Sequence, residues 1–168
     1  AVFGIVVDRD VDRLAFISND GEMFGEEYTL LACADYVLGK TPGNTVSNLS
    51  SSRALRDITE KHGGTYNAAA VGEVNVVAKM KATQAIIGGE GNGGIIYPES
   101  HYGRDSLVGT ALFLMIMAEK GGTVAELRAS YPSYFMRKKK IELTPSLDVD
   151  ALLAAIHKKY QNEEVSTI

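Results

Sequence analysis

Residues 85–97 read Ala85-Ile86-Ile87-Gly88-Gly89-Glu90-Gly91-Asn92-Gly93-Gly94-Ile95-Ile96-Tyr97, and the fold class turns on the residues just after the glycines. Gly89, Gly91 and Gly94 fit the spacing G-x-G-x-x-G. A dinucleotide-binding fingerprint of that form joins a strand to a helix. Here the next residues are Ile95-Ile96-Tyr97-Pro98, which are strand-like, so the glycines join strand to strand. The Gly-Lys-Ser/Thr of a nucleotide-phosphate loop is also missing. What remains is a glycine-rich loop presenting one carboxylate, Glu90, and one amide, Asn92. Those groups suit hydrogen bonding to neighbouring hydroxyls, as on a sugar. A glycine-rich hairpin without a ligand is the competing reading.

Working outward, strands and helices alternate. Strands are predicted over 3–7, 14–18, 45–49, 65–69, 85–88 and 95–97, and helices over 25–38, 52–62, 74–82 and 106–120. The run 3–7 is apolar throughout and reads as buried. Thr123-Val124-Ala125-Glu126 matches a capping box and opens another helix. Residues 136–143 read as a strand whose basic start, Arg137 to Lys140, is a solvated edge, and 149–160 as an amphipathic helix. The alternation implies an α/β fold with a largely parallel or mixed sheet flanked by helices, preceded by a strand-loop-strand-helix segment. Gly39-Lys40-Thr41-Pro42-Gly43-Asn44 has the composition of a linker, and a domain boundary is expected there.

The chain has 168 residues, with 17 Lys and Arg against 21 Asp and Glu, for a formal charge of −4. Residues 1–40 hold eight acids and three bases, so the negative balance lies in that stretch. An acidic balance argues against a nucleic-acid partner. No apolar run approaches the roughly 18 residues of a membrane span, so no membrane partner is expected. Cys33 is the single cysteine and reads as a small buried hydrophobe. It forms no internal disulfide, which is consistent with a cytoplasmic setting. His62 reads as a helix C-terminal residue, and Met115 and Met117 as core. The apolar strand at the start and Val165-Ser166-Thr167-Ile168 at the end lead us to expect a piece of a longer protein.

The acid-rich stretch contains Asp8-Arg9-Asp10-Val11-Asp12-Arg13. On extended backbone, alternate residues face one side, so Asp8, Asp10 and Asp12 are expected to converge. Three converging carboxylates repel, and a hard divalent cation relieves that repulsion. An all-oxygen set favours Mg²⁺ or Ca²⁺ over zinc. An EF-hand is excluded, because its sixth and twelfth positions would be Arg13 and Asn19 in place of Gly and Glu. A haloacid-dehalogenase-like phosphatase and a solvated acidic turn remain as alternatives.

Together the two loops resemble the α-D-phosphohexomutase superfamily of phosphoglucomutases, phosphomannomutases and phosphoglucosamine mutases. The family's Asp-x-Asp-x-Asp-Arg metal loop is matched by Asp8, Asp10, Asp12 and Arg13, and its Gly-Glu-x-Ser/Asn-Gly sugar loop by Gly89, Glu90, Asn92 and Gly93. Between them Val71-Gly72-Glu73 opens a helix, as in the family. The resemblance implies Mg²⁺ on the three aspartates, Arg13 on the transferring phosphate, and a phosphosugar held by Glu90 and Asn92 with Gly89, Gly91 and Gly93. It implies interconversion of hexose 1- and 6-phosphates through a phosphoserine and a hexose 1,6-bisphosphate.

By the same resemblance, residues 1–40 end domain 2, residues 45–145 form domain 3, and 146–168 lead toward domain 4. The phosphoserine of domain 1 and the phosphate-binding loop of domain 4 would lie outside the chain, leaving the fragment inactive alone. A stand-alone metal- or sugar-binding module is the alternative. Ser50-Ser51-Ser52 does not match the phosphoserine loop and reads as a turn into the next helix. Of the residues after the hairpin, His101 reads as a loop histidine, and Arg104 or Asp105 as the start of the long helix.

Overall fold

The computed structural model describes residues 1–140, 142–144 and 147–163, which form two compact units, 1–135 and the residues from 136 on. In the first unit, β1 (Gly4–Val7) and β2 (Leu14–Ile17) pair antiparallel. The helix α1 (Glu26–Lys40) follows, then β3 (Asn44–Asn48), α2 (Ala54–Lys61), β4 (Tyr66–Ala69) and α3 (Glu73–Thr83). The unit continues through β5 (Ala85–Glu90), β6 (Gly94–Ile96), α4 (Ser106–Lys120) and α5 (Val124–Ala129). The main sheet has the order β4-β3-β5-β6. β3 runs parallel to β4 and β5, and β6 antiparallel to β5. This is the expected mixed sheet.

The sheet is buried on both faces. Val76 and Met80 of α3 pack with Val46, Ala69, Ala85 and Ile96 on one side. On the other, Ile87 and Ile95 join buried residues of α1, α2, α4 and α5. Ile95 and Ile96 therefore face opposite layers, as the two-residue period of a strand requires. A side chain at Gly88 would strike Met80 Sδ and the Val46 carbonyl, so its bare backbone lets α3 lie close on β5. The hairpin β1–β2 is tied to the same core by a cluster of rings. Phe16 stacks on Phe113 at 3.8 Å, and Phe24 meets Phe113 edge-on at 5.1 Å.

The turn at 41–43 lies within the first unit, where α1 buries Leu30, Leu31, Ala34 and Leu38 in the core shared with α2 and α4. Two expectations for this unit change. The apolar run of β1 is not buried: Ile5, Val6 and Val7 are 46%, 51% and 43% exposed, since among the described residues β1 has a sheet neighbour on one edge only. Met115, read as core, lies 44% exposed on the outer side of α4. Cys33 is buried, and desolvation pushes its thiol up to about 12. Thr123 and Glu126 form the capping box. His62 caps α2.

His62 also bonds Asp35 at 2.8 Å, and the Tyr131 hydroxyl donates to the other Asp35 oxygen at 2.9 Å. Burial acts to raise the Asp35 pKa, but His62, Tyr131 and Lys120 outweigh it and the pKa falls below the ordinary carboxylate value. A depressed carboxylate stabilises the fold above its unfolded pKa, about 3.9. That stability is lost as pH falls through the folded value. Asp35→Asn is therefore expected to cost about 2 kcal/mol near pH 7. Urea unfolding at a series of pH values should show the gap to wild type narrowing below about pH 4. A gap independent of pH would contradict the assignment.

In the second unit, α6 (Val149–Lys159) is capped by Asp148, which accepts from the Ala151 amide at 2.9 Å. The strand predicted over 136–143 is absent: the described residues there have no regular structure and Arg137 to Lys140 are exposed, while Ile141 lies outside the described residues. Four successive cations resist pairing with a neighbouring strand. No helix among the described residues is long and apolar enough to cross a membrane.

Candidate functional site

The site forms where β3 and β5 end. In α/β sheets, ligands gather outside the carboxyl ends of the strands. Asn48 closes β3 and Glu90 closes β5. The glycine-rich stretch is less of a loop than its composition suggests. Gly88, Gly89 and Glu90 continue β5, Gly94 already belongs to β6, and only residues 91–93 turn. Gly93 has φ +84, and a side chain there would strike the Leu14 carbonyl. The hairpin tip thus rests on the backbone where the acidic loop enters β2.

Glu90 was expected to stand in a loop open to ligand. It is 5% exposed, and both oxygens are engaged. Oε1 accepts from Asn48 Nδ2 at 2.5 Å and from the Gly72 amide at 3.2 Å. Oε2 accepts from Arg104 Nη1 at 2.7 Å and from Asn92 Nδ2 at 3.5 Å. A buried carboxylate must be paired in this way. Asn92 Oδ1 accepts from the Gly94 amide at 3.2 Å and shapes the turn. Gly91 donates its amide to Ser51 Oγ at 3.0 Å, and Ser51 donates to Asn48 Oδ1 at 3.0 Å. The serine turn therefore supports the hairpin tip from below.

Residues 8–13 form a turn and not the extended strand on which three aspartates would line one face. Asp8 Oδ1 folds back to accept from the amides of Asp12 and Arg13, each at 3.2 Å. Val11 sits at φ 58, a strained value for a β-branched residue. Its carbonyl is held by the amide and hydroxyl of Ser106, at 3.2 and 2.9 Å. Burial tends to raise the Asp8 pKa, but the two amides prevail and it is lowered. The Asp12 pKa is raised, by burial first and by the facing Asp8 carboxylate, against the pull of Arg104. Among the described residues no three side chains gather in metal-holding geometry. The turn brings Asp8 and Asp12 together and leaves Asp10 outside the pair. Two facing carboxylates with a third in the same short loop still form an all-oxygen donor set whose chemistry fits a hard divalent cation.

Arg13 is 55% exposed, with Nε 3.7 Å from Asp8 and 3.9 Å from Asp12, ion-pair distances longer than hydrogen bonds. Arg104, which no motif singles out, contacts Asp12, Glu73 and Glu90. Asp105, one residue on, caps α4 by accepting from Leu107 and Val108. His101 bonds Asp105 Oδ2 at 2.9 Å. A cavity of about 700 Å³ opens beside Ala85 and Ile86, at the other end of β5, and none of the motif residues lines it.

Residues 25–134 match the family model described as phosphoglucomutase/phosphomannomutase, alpha/beta/alpha domain III. A phosphoglucomutase/phosphomannomutase of Thermococcus kodakarensis is 34% identical over 141 residues, covering 83% of this chain and 31% of the relative. A phosphoglucosamine/phosphogalactosamine mutase of Sulfurisphaera tokodaii is 32% identical over 168 residues, covering 98% and 37%. The crystal structure of a putative phosphomannomutase from Thermus thermophilus superposes with a TM-score of 0.71 at 28% identity, over 76% of this chain and 30% of that one. The chain thus spans about a third of the length of the curated relatives it matches. With its mixed sheet between helix layers and its matched segment running from the start of α1 to beyond α5, the chain belongs to the phosphoglucomutase/phosphomannomutase family and carries that family's domain III.

Proposed function

We propose that this chain supplies the cation loop and the sugar loop of a Mg²⁺-dependent phosphohexomutase that interconverts hexose 1-phosphate and hexose 6-phosphate. One observation carries the reading: the two motif-bearing segments, far apart in sequence, meet in space, with Gly93 seated on the backbone of Leu14. The family match begins at residue 25, the residue before α1. We therefore assign residues before Gly25 to the preceding domain, which places that boundary ahead of α1 and not after it.

Phosphoryl transfer asks a protein mainly for positioning and charge stabilisation. Arg13, exposed and only loosely paired, offers two parallel N–H donors to a transferring phosphate. Glu90 and Asn92 hold adjacent sugar hydroxyls. Their mutual contact of 3.5 Å is the longest at Glu90. A hydroxyl can replace it by donating to Glu90 and accepting from Asn92. Because that pair recognises a diol and not a phosphate, it can hold the sugar in either of two orientations, as a bisphosphate that must turn over requires. Asp8, Asp10 and Asp12 would hold Mg²⁺, which when bound offsets the charge of the phosphoryl group. No serine of the chain matches the family's phosphoserine loop, so we assign the carrier to another part of the same protein.

The test is an assay of the complete enzyme against glucose 1-phosphate, mannose 1-phosphate and glucosamine 6-phosphate. At least one should be isomerised, EDTA should lower the rate by about a hundredfold or more, and Mg²⁺ should restore it. Turnover of none overturns the reading. The isolated 168-residue chain is expected to turn over none of them.

A further inference from the structure

Arg104 belongs to neither motif, yet it touches both. Its Nη2 meets Asp12, its Nη1 meets Glu90 Oε2 at 2.7 Å, and its Nε meets Glu73 Oε2 at 2.8 Å. Three nitrogens of one planar group thus reach three carboxylates carried by the acidic loop, by the end of β5 and by the first residue of α3. We propose that Arg104 is a positioning residue that couples the acidic loop to the glycine-rich hairpin, so that a change at Asp12 is felt at Glu90. In naming these as a cation loop and a sugar loop, the inference rests on the function proposed above; the coupling itself rests on the contacts.

Several features make this more than a surface ion pair. The Arg104 side chain is only 15% exposed, so little water screens it. Its backbone is pinned by a bridge to Ile96, and the next amide, of Asp105, donates to Ile95 at 2.9 Å. Its stem passes over Gly94, where any side chain would collide with the Arg104 Cδ. Stem and backbone are therefore fixed, and the guanidinium has little freedom beyond rotation of its plane. Because the fork is rigid, moving one carboxylate tilts the plane away from the other two. Without Arg104, Asp12, Glu73 and Glu90 would lose the one cation they share, and their mutual repulsion would push the two loops apart.

A double-mutant cycle in the complete enzyme tests this, first without divalent cation and then with Mg²⁺. The variants are Asp12→Ala, Arg104→Gln, their combination, and Arg104→Lys. Two readouts are followed: amide hydrogen exchange in residues 88–94, and calorimetric affinity for glucose 6-phosphate. Asp12→Ala is expected to speed exchange in 88–94 by about tenfold in the wild-type background. It should add nothing in the Arg104→Gln background. Arg104→Lys should behave as Arg104→Gln, since one ammonium restores the charge but not the three-way fork.

Unchanged exchange in 88–94 on Asp12→Ala overturns the proposal, as does an increment that persists without Arg104. If Arg104→Gln does not fold, Glu73→Ala serves: it should speed exchange in 8–13 and 88–94 together, and an unaffected 8–13 overturns the proposal. A wild-type enzyme that binds and converts no hexose phosphate sinks the functional reading alone, because the exchange cycle is read without any sugar.

Discussion

Gly93→Ala is expected to lower stability by about 3 kcal/mol, of which roughly 1–2 kcal/mol is the penalty of a left-handed alanine and the rest displaced backbone. Gly93 sits at φ +84, a region that glycine enters freely and L side chains rarely do. The obstruction is the carbonyl of Leu14, which belongs to β2. Unlike a side-chain tip, a strand carbonyl cannot swing aside. Leu14 is itself a fully buried core residue, so it cannot retreat without opening the core. The substitution therefore acts twice, on the fold and on the meeting of the two loops. Urea unfolding of the variant measures the first effect, and hexose-phosphate affinity of the complete enzyme the second. A Gly93→Ala chain within about 0.5 kcal/mol of wild type would show that the contact is not as close as described. Gly21, also at positive φ but with open space around it, is the control that separates conformational strain from collision.

Arg13→Gln should have the opposite profile. The side chain is 55% exposed and its ion pairs are long, so stability is expected to change by less than about 0.5 kcal/mol. In the complete enzyme, kcat is expected to fall by about a hundredfold or more, comparable to the loss of one charged donor aimed at developing charge. KM should move much less, because a donor whose bond strengthens in the transition state appears in kcat. Steady-state kinetics with glucose 1-phosphate, mannose 1-phosphate and glucosamine 6-phosphate would read this. A normal kcat would remove Arg13 from the phosphate-contacting role. A loss confined to KM would make it a ground-state binding residue. The two variants together separate what holds the site from what the site does.

The fold was largely legible because its elements are strongly patterned. The helix predicted over 106–120 occurs with those bounds, and the Thr123 capping box is present. Both depend on short-range chemistry: a proline-free run rich in Leu, Met and Ala in one, a hydroxyl and a carboxylate three residues apart in the other. Where the sequence misled, an apolar or basic run was judged without knowledge of its neighbours. Residues 5–7 are as apolar as any buried strand, but β1 is left with one partner. Residues 136–143 have strand-like composition, yet nothing in the sequence shows that a strand stands ready to pair with them.

The sequence supplies the motifs of the candidate site but not the connections between them. Asp8, Asp10, Asp12 and Arg13 are read from four positions in one loop, and Glu90 and Asn92 from another. Arg104 carries no signal of its own, because a single arginine before a helix is ordinary. Asn48 and Ser51 are equally silent, although they brace Glu90 and the hairpin tip.

Sequence alone thus determined the class of each segment, the α/β alternation and the residue types available for chemistry. Periodicity and turn composition act over a few residues, and those distances are written in the chain. Only the tertiary structure decided which carboxylate would be open and which paired. Arg104 reaches Glu73 across 31 residues and Glu90 across 14, and the contact exists because the order β4-β3-β5-β6 brings the ends of those strands together. The electrostatics of a buried group are set by whatever charges lie within a few ångströms. Strand order, and not local pattern, fixes who those neighbours are.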